Sequence, residues 1–382
     1  MSAAAAVIAT LVLAGTTGAQ ELGAPKAYEP FFGRVVVRAP ARTARADLFV
    51  GGRIIASRPV ARRRIVFRLR LPSGRYDVAV RFRRRGGGVL GRRRSRAAWL
   101  LPRAAAHGRR ERSRDALLAR RLARLGRSFG GWAGLWTHDL STGRTAGWNA
   151  DAVFPAASTV KLAVLVAALR RFGPRPEGSP AWPDIRDLAT WSSNVASNRL
   201  LLRLGGSEAG GSRIAQGVLW RLGARSSTFT GFYRLGTARA AAHAATDRPR
   251  PLPFVASRRT TAHDLGRILV ELHLAALGDR RALVRTQLSR HEARVGLGLL
   301  LSSDRTGSNR GLFAATFAPG LPAAQKQGWT TSVRHTAAIV YGASGPRIAV
   351  LLTYHPAIRA QVAAALGRRF LQTVGLADVR SG

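Results

Sequence analysis

The sequence predicts an α+β domain, with an antiparallel sheet built from both ends of the domain and flanked by helices, preceded by a small all-β sandwich-like domain. Three observations carry this prediction. Residues 31–85 alternate apolar and polar with a period of two, the pattern of half-buried antiparallel strands. From residue 113 onward, strand-like runs lie at both ends and helical runs between them. An arginine-dense tract, residues 86–112, separates the two regions and reads as a linker.

Met1 to Ala14 form an apolar run too short to span a bilayer, followed by the small residues Thr17-Gly18-Ala19. This fits a secretory signal over residues 1–19, although the usual basic n-region is missing, and predicts an exported protein: periplasmic, cell-wall associated or secreted. Residues 20–30, with Gly23, Pro25 and Pro30, read as a linker. Ile65, Phe67, Leu69 and Leu71 then alternate with Val66, Arg68 and Arg70, and after Pro72-Ser73-Gly74 the residues Tyr76, Val78, Val80 and Phe82 alternate with Arg75, Asp77, Ala79 and Arg81. Residues 34–38 add a strand, and residues 47–50 and 53–56 add a hairpin around Gly51-Gly52. The expected form is an immunoglobulin-like sandwich over 31–85. Residues 81–121 hold fifteen arginines against Glu111 and Asp115. That tract is either a solvated charge run or a specific anion site.

The second domain is expected over 113–375. Residues 115–125 read as a helix, and 131–140 with 145–148 as a hairpin across Ser141-Thr142-Gly143. Residues 158–170 are apolar nearly all round, which predicts a buried helix, and Gly173-Pro174 stops it. Further helices are expected over 194–204, 261–274 and 357–371, and strands over 323–331, 335–341 and 347–354.

The net charge of +43 favours anionic partners. Aromatic interleaving is nearly absent from the arginine tract, where Trp99 stands alone, and no nucleic-acid-binding signature is present. The expected partner is therefore an anionic cell-wall or membrane surface rather than nucleic acid, and the chain is expected to be a monomer. There is no cysteine, which excludes disulfides and thiolate metal sites. The eight histidines show no metal-ligand spacing, so no metal and no cofactor are expected.

Of the 62 basic residues only three are lysine: Lys26, Lys161 and Lys326. Arginine stays protonated at physiological pH, whereas burial can lower a lysine pKa, so a lysine that accepts a proton cannot be replaced by arginine. Codon bias would leave a few lysines by chance; a catalytic need would leave them where chemistry happens. Ser158 and Lys161 are three residues apart, on one face if the segment is helical. A helix N-terminus leaves backbone N–H groups unpaired and favours negative charge. A serine there can be deprotonated by a neutral lysine as it attacks a carbonyl, and its own N–H can help hold the oxyanion. Ser192-Ser193-Asn194, followed by Asn198, is by itself an ordinary cap or turn cluster. Lys326-Gln327-Gly328-Trp329 lies on an expected strand, where a glycine often marks close approach of a ligand, and Trp329 can supply an edge N–H.

In this order the three pieces resemble the Ser-x-x-Lys, Ser-Asp-Asn and Lys-Thr-Gly pattern of the serine β-lactamase and penicillin-binding protein family. Phe154 to Leu162 looks like the segment around that family's nucleophile, Ser192 to Leu201 like its second-motif helix, and residues 325–354 like its last three strands. The segment Thr260-Thr261-Ala262-His263-Asp264-Leu265 resembles the helix start after its omega loop. The resemblance implies a β-lactamase/transpeptidase-like fold with Ser158 as the acylated nucleophile, Lys161 as its base and Ser192 as a proton relay to the leaving nitrogen. It further implies that Asn194 binds a substrate amide, that Lys326 draws in the substrate carboxylate, and that Ser158 and Trp329 give the oxyanion N–H groups.

Two motif positions depart from the pattern: Ser193 stands for Asp, and Gln327 for Thr, which weakens a carboxylate contact that Arg334 could restore. No omega-loop glutamate is evident. Glu208 comes too early, and Asp247 has near-family spacing but no surrounding motif. Acylation of a β-lactam with slow deacylation is therefore expected. The alternatives are a penicillin-binding, D-Ala-D-Ala peptidase-like enzyme acting on peptidoglycan peptides, and a non-catalytic protein binding the cell wall or a membrane surface.

Overall fold

The computed structural model describes residues 28–233, 258–303, 311–313, 317 and 321–376. The expected secretory signal lies outside the described residues, as does residue 247. The chain divides after Arg103 into two compact units. No helix among the described residues is long and apolar enough to cross a membrane.

Among its described residues the first unit has seven strands: β1 (Phe31–Phe32), β2 (Arg34–Arg38), β3 (Arg45–Val50), β4 (Arg53–Pro59), β5 (Arg64–Arg68), β6 (Gly74–Arg83) and β7 (Val89–Leu101). They form a five-stranded sheet in the order β1-β7-β6-β3-β4 and a separate β2-β5 pair. Both contribute to one core, with Val35 and Phe67 from the pair and Leu48, Val80, Phe82 and Leu100 from the larger sheet. The period of two explains this. In β2 the valines 35 and 37 are buried and arginines 34 and 38 are exposed. The β3–β4 turn places Gly51 at φ +58° and Gly52 at φ +85°, a pair of left-handed residues that a two-residue hairpin turn requires.

The sandwich divides five plus two, not four plus three as in immunoglobulin domains. The arginine tract over 86–112 is also not simply a linker. Residues 89–101 are β7, hydrogen-bonded between β1 and β6. Arginines suit a strand whose outer face meets water, and their number masks the alternation on the inner face. The β domain therefore reaches Leu101, beyond the expected boundary at residue 85.

The second unit contains β8 (Ser113–Arg114), α1 (Ala116–Arg127), β9 (Trp132–Asp139), β10 (Arg144–Trp148), β11 (Phe154–Pro155), α2 (Lys161–Phe172), α3 (Trp182–Thr190), α4 (Asn194–Gly205), α5 (Glu208–Arg221), β12 (Arg259–Thr260), α6 (Ala262–Leu277), α7 (Arg280–Thr286), α8 (Arg290–Leu301), β13 (Ala323–Trp329), β14 (Val333–Gly342), β15 (Gly345–Tyr354) and α9 (Ala360–Thr373). The main sheet runs β13-β14-β15-β9-β10-β8, so β9 and β15 join the two ends of the domain at its centre. Leu122 of α1 and Phe370 of α9 pack with Leu135, Val340 and Leu351 of the sheet. Helix α6 packs against β9, β14 and β15, and α2 is enclosed by α3, α4, α5 and α8. Residues 161–169 are all buried, the reason α2 is apolar all round. β13 is an edge strand, and this exposes backbone groups to the site.

Candidate active site

Ser158 sits on a turn between β11 and α2. β11 pairs with β12, and Ala157 takes a left-handed φ of +47°. Bonds from Thr159 N to Ala156 O (3.1 Å), Lys161 N to Ser158 O (3.3 Å) and Leu162 N to Thr159 O (3.2 Å) span three residues each. The helix expected from residue 158 thus opens only at Lys161, because Pro155 and left-handed Ala157 hold the chain out of α geometry. A 3₁₀-type turn eclipses residues i and i+3, so Ser158 and Lys161 keep to one face of the turn.

Lys161 is 0 % exposed. Its Nζ donates to Ser192 O at 2.5 Å and to Asn194 Oδ1 at 2.6 Å, and lies 4.2 Å from the Tyr233 ring centroid. Burial, then the charges of Lys326 and Arg258, push its pKa well below the ordinary lysine value. A neutral amine has two N–H groups and one lone pair. The two acceptors consume both N–H groups and leave the lone pair free to take a proton. Asn194 Oδ1 is the atom that faces the lysine, so Nδ2 remains the donor that a substrate carbonyl needs.

Ser192 joins the two lysines. Its backbone is left-handed at φ +60°, its carbonyl receives Lys161, and its Oγ receives Lys326 Nζ at 2.6 Å. With Oγ accepting from Lys326, the Ser192 hydroxyl proton is free to be given away. The residue that departs from the family's second motif, Ser193, caps α4 by accepting from Ala196 N. Lys326 is 0 % exposed, also donates to Gln327 O (2.8 Å), and burial lowers its pKa to about 7.

Gly328 presses β13 onto the serine turn. A Cβ there would lie 2.9 Å from Ser158 N and 3.0 Å from Thr159 N. The bond from Thr330 N to Val333 O at 3.1 Å sets the phase of the β13–β14 ladder, and Trp329 pairs with Arg334 in the next, non-hydrogen-bonded position. The Trp329 N–H therefore points to the open edge. Ser158 N–H has no partner among the described residues. Two unpaired donors beside a serine hydroxyl are what an oxyanion requires.

Gln327 is 3 % exposed, and among the described residues its side-chain amide has no hydrogen-bond partner. Arg334 lies over Trp329, 5.3 Å from the ring centroid, and donates to Thr330 O and Val333 O. It is tied to the strand end rather than to Lys326. Glu208 accepts from Phe232 N at 2.6 Å and holds that loop.

Asn198 follows the second motif, whereas Tyr233, Arg258 and His335 carried no motif signal. Asn198 clamps Tyr233 through reciprocal bonds of 2.7 and 2.8 Å. The Tyr233 ring then stands between Lys161 and Arg258, whose Cζ is 3.9 Å from its centroid. His335 anchors the turn from behind. Thr353 N–H donates to Nδ1 (3.2 Å), so the ring proton is on Nε2 and is given to Pro155 O (2.7 Å). Protonation would break the first bond, and burial lowers the His335 pKa to about 4. His138 and His273, also buried, are lowered to about 4. An unfolded histidine titrates near 6.5. Neutral histidines thus contribute stability above about 6.5, lost as pH falls through about 4, with a limit of roughly 3 kcal/mol for each. Thermal melts between pH 7.5 and 4 should show a falling Tm; a flat profile would contradict these buried neutral rings.

A strand edge set against the N–H of a turn serine, with a buried lysine amine beneath, is the architecture of active-site-serine hydrolases. The model described as "Beta-lactamase enzyme family" matches residues 117–174 and 182–374, and the chain belongs to that family. The match begins beyond the N-terminal β unit. Among solved structures, PBP-A aligns at TM-score 0.52 and 20% identity, covering 70% of this chain and 98% of PBP-A. A β-lactamase from Streptosporangium roseum aligns at 0.51 and 19%, covering 69% and 100%. An ancestral class A β-lactamase aligns at 0.51 and 19%, covering 68% and 98%. At these identities the likeness is one of fold. No curated protein matches the chain.

Proposed function

We propose that the chain is an acyl-serine hydrolase that acts on β-lactams and deacylates slowly. Ser158 attacks the lactam carbonyl, and its proton passes to Lys161. The oxyanion sits between Ser158 N–H and Trp329 N–H. Ser192 delivers a proton to the leaving nitrogen, and Lys326, with Gln327 and Arg334 nearby, faces the substrate carboxylate. The observation that carries this reading is the Lys161 amine, buried and with both N–H groups engaged at 2.5 and 2.6 Å. Slow deacylation is supported by the sequence between the second motif and Thr260, where Glu208 comes too early and Asp247 has no surrounding motif, and by Glu208 accepting from Phe232 N at 2.6 Å.

The same observation favours a second reading, a D-Ala-D-Ala peptidase-like enzyme that passes through a persistent acyl-serine. PBP-A, similar in fold, is described as a mutant in an acyl-enzyme complex with penicillin G. Intact-mass spectrometry after incubation with penicillin G tests both. The expected result is one adduct per chain, located on the Ser158 peptide. Rapid turnover of a chromogenic cephalosporin would overturn slow deacylation, release of D-Ala from a pentapeptide would select the peptidase, and absence of any adduct would remove both readings.

A further inference from the structure

The outer face of the N-terminal sheet carries a second built cluster. Strand pairing puts Arg45, Asp47 and Phe49 of β3 on one face with Arg81 and Arg83 of β6 and Arg92 and Arg94 of β7. Asp47, its side chain 6 % exposed, accepts from Ser57 Oγ at 2.6 Å, Arg83 Nε at 2.9 Å and Arg81 Nε at 3.4 Å. Ser57 Oγ in turn accepts from Arg45 Nε at 2.6 Å. The Cζ atoms of Arg81 and Arg92 lie over the Phe49 ring, 4.6 and 5.6 Å from its centroid. One carboxylate and one ring thus order four guanidiniums. Arg45 and Arg81 are engaged through Nε, so among the described residues their terminal amino groups have no hydrogen-bond partner, and neither does the head of Arg92.

The cluster breaks a local rule. Arg81 stands directly opposite Arg92, and Arg45 opposite Arg83. Like charges at such positions weaken a sheet, and violations of local consistency concentrate where a protein binds something. Guanidinium forks match phosphate oxygens in pairs. Along a strand, alternate arginines are about 6.7 Å apart and neighbouring strands about 4.8 Å. A fixed grid of this kind suits a chain of regularly spaced phosphates better than a fluid headgroup layer. The aromatic rings of these strands are already occupied: Phe82 is buried, Tyr76 packs against the core, Phe49 lies under two guanidiniums and Trp99 under Arg75, 5.9 Å from its centroid. Bases would find no open ring to stack on.

We propose that this face is a docking surface for a linear phosphodiester polyanion that carries no bases. The probe is an abasic deoxyribose-phosphate oligomer, compared with a thymidine oligomer of equal length and with vesicles containing anionic lipid, using the full chain. The control for diffuse charge is the opposed pair Arg34 and Arg68 on β2 and β5, a cross-strand arginine pair outside this cluster. R34A/R68A relieves repulsion, and R81A/R92A leaves Asp47 its bonds to Ser57 and Arg83, so both variants should stay folded, which a melt verifies. The two oligomers should bind about equally. R81A/R92A should weaken binding of the abasic oligomer about tenfold and flatten its salt dependence, and R34A/R68A should weaken it less than about threefold. Equal losses in the two variants would reduce the face to diffuse charge. A thymidine oligomer bound more than about tenfold better would make it a base reader. Binding to vesicles without binding to the oligomer would assign it to a membrane. Any of these three outcomes overturns the proposal.

Discussion

Lys161→Arg should lower the rate of acylation by penicillin by about 10³-fold, a central value for what a positioned general base supplies. Arginine has no lone pair to offer at any working pH. The Lys161 amine also donates to Ser192 O and Asn194 Oδ1, contacts set for a compact amine rather than a planar fork. A guanidinium would have to fit where the side chain is 0 % exposed. Labelling kinetics with a fluorescent penicillin, with Tm followed in parallel, give the measurement. Lys161→Gln serves as a second variant that also lacks a base but is no larger than lysine. If the arginine variant acylates within about tenfold of the parent, Lys161 is not the base, and the scarcity of lysine in this chain is codon bias. In the parent, acylation should fall above about 7 as Lys326 loses the charge that meets a carboxylate.

Gly328→Ala should cost acylation about 10²-fold or more, the effect of misplacing one oxyanion donor, with little change in Tm. The new methyl would meet backbone, not a yielding side chain: 2.9 Å to Ser158 N and 3.0 Å to Thr159 N. That turn is held by Thr159 Oγ1 to Ala156 O (2.6 Å) and by His335 to Pro155 O (2.7 Å). β13, an edge strand, is the element that must retreat, and Trp329 N–H goes with it. The backbone at Gly328 is not in the left-handed region, so alanine is conformationally acceptable there. Comparing the acylation rate with the melt separates the two effects. A normal rate would show that the strand edge is not part of the oxyanion site.

How far the molecule was legible in its sequence depended on whether the signal was local. Ser158, Lys161, Ser192, Asn194 and Lys326 sit in short motifs, and the structure brings Ser192, Asn194 and both lysines into direct contact. Ser158 joins them through the turn geometry rather than through a hydrogen bond of its hydroxyl. The start of α2 was misplaced because its apolar pattern runs back through the turn; the left-handed Ala157 has no sequence mark. β7 was hidden because arginine fills its solvent face. Tyr233, Arg258 and His335 were not legible at all: Tyr233 meets Lys161 and Arg258 through its ring, His335 holds Pro155 O across 180 residues of sequence, and no spacing rule covers such contacts.

The pairing of β9 with β15 also sets a timetable. Thr137 Oγ1 donates to Ile348 O across 211 residues of sequence. During synthesis β9 must wait for nearly the whole domain before its neighbour exists, and contacts of this range slow folding. Ser158 and Lys161 emerge early, but Lys326, Gly328 and the strands that hold them come last. A nascent or truncated chain lacking β15 would therefore carry the nucleophile without an oxyanion site. Reactivity should arrive abruptly, with the final strand, rather than accumulate as the chain lengthens.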